Sequence, residues 1–364
     1  MSKINELKIN RSPLRQIFKD KFARIAIFIL FVFYILIAFA DFFAVNSEDF
    51  SDRHISYAPP SKIFVIDQRG NLSKPYTYNY TRTFNKETFS TDYTLDRSQK
   101  YYLKLFAKGF EYKFLGVFKT DRHLVGLDKP AGRLYFLGAD INGRDNFSRL
   151  LYGGQVSLTI GFLALFISFP IGLIYGGIAG FSGGIVDTVM MRIAEAIMSI
   201  PSFYLLIILA ALLPAGMTST QRFTLIIVIL AFIGWAGFSR VVRGMVLSIK
   251  TQEYVESAKA IGASSLRIIM KHILPQTASF VIVAVTLSVP GYILGESGLS
   301  FLGLGIQQPD ASWGNMLKEA QEYTNIIYRP WLLTPGYLIF ITILSFNLIG
   351  DTIRDILDPK SYGR

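Results

Sequence analysis

The sequence predicts an all-α polytopic membrane protein: six transmembrane helices, with a small β-rich insert between the first two. Three observations carry this. Hydrophobic residues make up 51% of the 364 positions, they gather into six runs, and a long polar stretch between the first two runs alternates instead. A soluble chain of this length would spread its apolar residues over periodic positions, so gathered runs point to a bilayer.

The runs cover residues 25–43, 156–178, 189–213, 223–238, 273–294 and 331–349. With its flanks, each is long enough to cross a hydrocarbon core that takes roughly 20 helical residues. A soluble bundle would need a polar stripe on every helix, and IFILFVFYILIAFADFF has no charge before Asp41. Lys19, Lys21 and Arg24 before the first run give it the look of a signal-peptide core. The run is long, however, and no small-x-small site follows Phe43, so it is expected to stay as the first span.

Pro170, Pro201, Pro290 and Pro335 fall within or beside the later runs and predict bent helices in a packed bundle. The small residues of GLIYGGIAG, GFSGG and GYILGESGLSFLGLG are read either as points of close helix approach or as flexible loop.

Basic residues set the expected orientation. Lys3, Lys8, Arg11, Arg15, Lys19, Lys21 and Arg24 precede the first span and place it with a cytoplasmic N-terminus. The loop between spans four and five is then cytoplasmic as well, and it holds Arg240, Arg243, Lys250, Lys259, Arg267 and Lys271. The short opposing loops hold only Arg222, Lys318 and Arg329. Net charge +11 is explained by this asymmetry and by anionic lipid, so no nucleic-acid partner is expected.

Residues 44–155 lie on the far side. KIFVIDQRG and YTYNYTRTF alternate, and YYLKLFA, KG, FEYKFLGVF reads as a hairpin turning at Lys108 and Gly109. Asn71, Asn79 and Asn146 begin N-x-S/T triplets and are read as loop residues.

The most informative loop is SIKTQEYVESAKAIGASSLRIIMKHILPQ. Glu253 and Glu256 suit the positive end of a short helix, and Gly262 suits its stop. A second short helix over residues 264–271 leads to Pro275, expected to open the fifth span. Ser257, Ala258 and Ala260 are small enough for the first helix to nestle into a partner's groove.

Glu256, Ala258, Gly262, Leu274 and Pro275 resemble the EAA loop of bacterial binding-protein-dependent ABC importer permeases. Ser257 and His272 depart from that pattern. The similarity extends over residues 11–43 and from about residue 136 onward. FLGADINGRDNFSRLLYGGQVSL, SFLGLGIQQPDASWGNML and FNLIGDTIRDILDP resemble the C-type subunits of the dipeptide, oligopeptide and nickel branch.

The resemblance implies a type I ABC importer permease fold in a bacterial inner membrane, with both termini cytoplasmic. Residues 1–45 would form the N-terminus and first span, 46–150 the extracytoplasmic insert, and 151–364 a five-helix core with its coupling loop at 240–272. It implies that Glu253, Glu256, Ser257, Ala258, Gly262, Leu274 and Pro275 couple to a separate ATPase. The implied partners are a second homologous permease, two ATP-binding subunits, an extracytoplasmic binding protein, a peptide substrate and membrane lipid. Nickel or an oligosaccharide is the alternative cargo. The chain has no G-x-x-x-x-G-K-S/T loop, so it is expected to be non-catalytic and to hold no cofactor, ATP being bound by its partners.

Glu296 is the candidate gate or substrate-path carboxylate, with a solvated loop acid after the fifth span as the other reading. Arg192 and Glu195 are expected to pair along a helix, Arg240 and Arg243 to fix the depth of span four, and Trp313 and Trp331 to anchor at the outer interface. An ion-coupled transporter would need acids near mid-membrane and usually shows repeats, and neither is seen. With no cysteine and only His54, His123 and His272, neither a metal site nor a membrane hydrolase can be assembled.

Overall fold

The computed structural model describes residues 16–67, 70–86, 90–114, 116–214 and 216–357. Lys3, Lys8, Arg11 and Arg15, expected to orient the N-terminus, and the closing Asp358 and Pro359 of the last motif lie outside the described residues. Two compact units divide the chain. One takes the chain up to Phe31, Leu158–Leu299 and everything from Ile339; the other takes Val32–Ser157 and Ser300–Leu338.

The long helices are α1 (Lys21–Ala38), α3 (Asn146–Ser182), α6 (Ser219–Ile249), α9 (Ala278–Phe301) and α12 (Thr334–Leu357). Each belongs to a helical stretch long and apolar enough to cross a membrane. The third of the six apolar runs is not one helix. Residues 189–213 fall on α4 (Gly184–Met198) and α5 (Ser202–Ala211), bent by 76° at the break. Pro201 sits at that break with φ −55° as the N-cap of α5, supplies no N–H, and pushes Ile200 out of helical backbone.

Within the first unit, glycines explain how α3 meets α6. Gly172, Gly176 and Gly180 repeat one turn apart on α3. A Cβ on them would lie 2.8 Å from the Trp235 carbonyl oxygen, 2.3 Å from that of Ser239 and 2.8 Å from that of Arg243. The GLIYGGIAG run is therefore a contact stripe. Without a hydrophobic force between helices in lipid, such close backbone approach supplies the packing. Ser168 Oγ and Tyr292 Oη, 2.5 Å apart, join α3 to α9, and Gly350 of α12 lies against Leu287 of α9.

The second unit contains an antiparallel four-stranded sheet in the order β1 (Phe64–Ile66), β2 (Leu72–Asn85), β3 (Ser90–Phe114), β4 (Phe118–Leu127). The expected turn at Lys108 and Gly109 is not there: β3 runs straight through, and the hairpin closes where Phe114 pairs with Phe118. Gly109 instead serves the register shift between Lys108 and Tyr112. An added Cβ would lie 2.5 Å from His123 Cδ2, so the glycine makes room for the ring. Of the triplet asparagines, Asn79 is in β2 and Asn146 begins α3, so neither is a loop residue.

The same unit brings two of the resemblance stretches together. Gly153 and Gly154 on α3 admit Ser312 and Trp313 at the head of α10 (Trp313–Leu317). Trp313 is buried there and its Nε1 donates to the Leu150 carbonyl at 2.9 Å, so it is a packing residue and not an interfacial anchor. Trp331 is half-buried, and its Nε1 donates to the Ala139 carbonyl at 3.1 Å.

Beside them lies a buried ionic cluster. Arg144 Nε donates to Asp140 Oδ2 at 2.6 Å, Arg149 Nη1 donates to the Pro309 carbonyl at 3.0 Å, and Gln308 Oε1 accepts from both arginines. Asp145 caps α3 by accepting from Ser148 N at 3.0 Å and Ser148 Oγ at 2.5 Å. Burial pushes its carboxyl up to about 6.

Candidate functional site

The loop singled out from sequence forms α7 (Glu253–Ala260) and α8 (Ser265–Ile268). Glu253 and Glu256 occupy the first turn of α7, and Lys259 Nζ reaches Glu256 Oε1 at 2.8 Å on the exposed side. The helix ends in a Schellman turn. Gly262 N–H donates to the Lys259 carbonyl at 2.9 Å and Ala263 N–H to the Ala258 carbonyl at 3.1 Å. Gly262 has φ +78°, the left-handed conformation its place at the stop predicts, and a Cβ there would meet nothing within 4 Å.

The loop is seated on the end of α3. Lys250 Nζ donates to the Gly180 carbonyl at 2.8 Å, and the Lys259 ammonium lies 5.5 Å from the centre of the Phe181 ring. Leu274, with Ile269, fills the notch left by Gly177, whose Cβ would sit 3.3 Å from Leu274 Cδ2.

Of the small residues expected to face a partner, Ala258 is buried within the chain together with Val255, while Ser257 and Ala260 are exposed. The outward face also carries Tyr254, Ile261 and Leu266, with Ile261 85% exposed. These apolar side chains are uncovered among the described residues. They escaped the motif reading because only the small positions were weighed.

Pro275 does not open the fifth span. The helical stretch Ser265–Phe301 passes through it by way of a π turn, Ile269–Ile273, and a 3₁₀ turn, Leu274–Thr277, before α9. The wide turn upstream accommodates a residue that cannot donate and whose ring crowds the preceding carbonyls.

Glu296 also moves. It lies inside α9, fully buried, with Ser297 Oγ donating to its Oε2 at 3.3 Å, and is not a solvated loop acid. Its neighbours Gly295 and Gly298 face Leu230 and Phe203, so this turn of α9 is packed against α6 and α5.

Arg192 Nη1 and Glu195 Oε2 pair at 3.0 Å on the exposed face of α4, the local pairing expected. Arg243 makes a tie that sequence reasoning missed. Its Nε donates to Asp187 Oδ1 at 3.0 Å and its Nη2 to Oδ2, a bidentate bridge from α6 to α4. The only signal was an aspartate in the apolar stretch IVDTVMM. Arg240 is exposed.

An open groove of about 840 Å³ runs between α6, α9 and α12. Gly234, Gly237 and Phe238 line one side, Gln276, Ser279 and Ser288 another, and Arg354 stands at one end. Its wall is uncharged apart from Arg354, and Gly237 leaves open space. Glu296 is not among the lining residues.

The profile of the family described as "binding-protein-dependent transport system inner membrane component" matches residues 168–361. The dipeptide transport system permease protein DppC of Bacillus subtilis (strain 168) is 45% identical over 233 residues, 64% of this chain and 70% of that protein. The oligopeptide permease OppC of the same strain is 41% identical over 242 residues, 66% of this chain and 77% of that protein. The glutathione transport system permease protein GsiD of Escherichia coli O157:H7 is 40% identical over 230 residues, 63% and 73% of the two chains. Among solved structures, an inward-facing MetNI methionine ABC transporter aligns with TM-score 0.46 and 21% identity over 58% of this chain and 97% of that one.

Proposed function

The chain belongs to the family of binding-protein-dependent transport system inner membrane components, and from that premise we propose that it forms half of the membrane path of an ATP-driven importer of di- and oligopeptides. It is a non-catalytic transmembrane subunit. The proposed assembly holds a second permease, two ATP-binding subunits and an extracytoplasmic binding protein. Its relatives are named as permeases for dipeptides, oligopeptides and glutathione, all peptides.

The observation that carries the mechanism is the seated loop. Glu253, Glu256, Ser257, Ala258, Gly262, Leu274 and Pro275 lie on or beside a short helix fixed from behind by Lys250, Val255, Ala258 and Leu274, with Tyr254, Ile261 and Leu266 free in front. A rigid back and an apolar front are what a lever needs. Movement of an ATPase gripping the front would pass to α3 and α6 through the backbone contacts at Gly172, Gly176 and Gly180. In this reading the Lys and Arg excess of the N-terminus and of the basic loop puts both on the cytoplasmic side, and six crossings return the C-terminus to that side.

We take the groove beside α6, α9 and α12 as this subunit's half of the path. Serine, glutamine and glycine on its wall offer hydrogen bonds or clearance without fixed charge, which suits a peptide of variable side chains. The test is reconstitution of the four kinds of subunit in proteoliposomes. ATP hydrolysis stimulated by peptide-loaded binding protein, with labelled peptide accumulating, is expected. Accumulation of nickel or a sugar in place of peptide would overturn the substrate, and hydrolysis indifferent to this subunit would overturn the role.

A further inference from the structure

The end of the first span and the β3–β4 hairpin run side by side. Val45, Asn46 and Phe50 line a cavity of about 620 Å³ together with Gly126 and Leu127. Nearer α1, the buried His123 ring lies between the Asp41 carbonyl, 2.7 Å from Nδ1, and the Phe110 carbonyl, 2.9 Å from Nε2. Nearest α1, the Phe114 ring stacks on Phe39 at 5.5 Å and meets Phe42 at 6.3 Å.

These contacts give the hairpin a direction. Reading back along the chain from Phe50 to Phe39 approaches the bilayer, because α1 ends at Ala38 after 18 apolar-rich residues. Phe39, the first residue past α1, meets Phe114 beside the closed end, whereas Val45 and Phe50 share a cavity with Gly126 and Leu127 toward the open end. The closed end of the hairpin therefore points toward the membrane.

That closed end carries side chains that nothing among the described residues covers. Val117 is 71% exposed and Phe118 67%. Lys113 pairs directly opposite Lys119. Like charges in such register destabilise a sheet unless an anion meets them, and no acid bridges either lysine among the described residues. The next like-charged pair along the hairpin, Lys108 and Arg122, has Asp121 within 3.8 Å and 3.7 Å.

We propose that the β3–β4 hairpin is a lipid-binding finger: Val117 and Phe118 enter the leaflet at the C-terminal end of the first span, and Lys113 and Lys119 bind its anionic headgroups. Exposed aromatic and apolar residues flanked by lysine suit the headgroup boundary. The inference rests on the chain spanning the bilayer, not on which side the insert occupies.

The native chain has no cysteine, so single spin labels can be placed on the full chain in nanodiscs at Val117, Phe118, Leu72 and Phe28. Leu72 is 90% exposed at the start of β2, and Phe28 is on α1. Labels at Val117 and Phe118 are expected to collide several-fold more often with lipid-dissolved oxygen than with a water-soluble nickel chelate, as at Phe28, with Leu72 reversed. Val117 and Phe118 reading like Leu72 would overturn the proposal. So would protection that arises only when the binding protein or a second permease is added, since the finger would then be a protein contact. Phe28 reading aqueous would remove the span itself, and the finger with it. The double variant Lys113→Glu, Lys119→Glu should draw the label at Val117 toward water in phosphatidylglycerol-rich discs and leave it unchanged in phosphatidylcholine discs. An equal response in both would reject the headgroup contact.

Discussion

Replacing Gly262 by valine separates the loop's geometry from its mere presence. The residue sits at φ +78° with no atom within 4 Å of a Cβ position, so bulk itself costs nothing inside the chain. The cost is conformational: a non-glycine residue in left-handed backbone is disfavoured by roughly 1–2 kcal/mol, more for a β-branched one. If the turn opens to escape that strain, it forfeits the Gly262 and Ala263 hydrogen bonds, each worth about 1 kcal/mol net. A penalty of one or two kcal/mol lowers the ratio of native to open turn by a factor of roughly 5–30.

That is enough to disorder the lever and too little to unseat a bundle of membrane helices. Gly262→Val should therefore insert at normal abundance while peptide-stimulated ATP hydrolysis and uptake in proteoliposomes fall, by at most about that factor. Asparagine tolerates left-handed backbone, so Gly262→Asn should restore most of the coupling, with Gly262→Ala between the two. The reasoning is refuted if valine couples normally. It is equally refuted if asparagine is as damaging as valine, because contact bulk and not φ would then be the determinant.

Three further outcomes follow from the packing. Gly176→Val, whose Cβ would lie 2.3 Å from the Ser239 carbonyl oxygen, should lower the melting temperature in detergent sharply, with overpacking costing about 1–3 kcal/mol, whereas Gly237→Ala, in open space, should leave it unchanged. Asp187→Asn should destabilise by about 1.5–3 kcal/mol, because charged hydrogen bonds to Arg243 are lost, and a double-mutant cycle with Arg243→Gln should show strong coupling. Burial and the nearby Asp140 raise the Glu319 carboxyl from 4.5 to about 7, so between those values the folded chain holds a proton that the unfolded chain has released. Its contribution is thus present at low pH and lost as pH rises toward 7, and Glu319→Gln should flatten that part of the stability profile measured by thermal unfolding.

The reach of the sequence was set by distance along the chain. The apolar runs and the stop at Gly262 depend on neighbours within a turn or two, so the spans and the left-handed glycine were both legible. Pro201 announced a bend, but its 76° size depends on what α4 and α5 pack against. Alternation identified the sheet, yet Lys-Gly looked like a turn because the reason for Gly109 is His123, 14 positions on, whose ring needs the space. Arg243 and Asp187 are 56 residues apart, and no local pattern pairs them.

Burial was the least legible property. Trp313 and Glu296 sit in stretches whose composition suits an interface, and only the glycines opposite them, Gly153 and Gly154 for the one, Gly295 and Gly298 beside the other, reveal close packing. A tryptophan or glutamate is placed by what leaves room for it. On the loop that carries α7 the same effect divided the motif: Ala258 turned inward to seat the helix, leaving Ile261 and Tyr254, which no motif weighs, exposed.

The most direct measurement is cross-linking of the proposed front of the loop in an assembly that is transporting. Single cysteines at Ser257 and Ile261, both exposed, would carry a short photoreactive cross-linker in proteoliposomes containing the second permease, the ATPases and the binding protein, with Val65 in β1 as the distant control. The account predicts adducts between both loop positions and an ATPase subunit, changing in yield with ATP, and none from Val65. Peptide uptake proceeding normally while neither Ser257 nor Ile261 ever reaches the ATPase would contradict it.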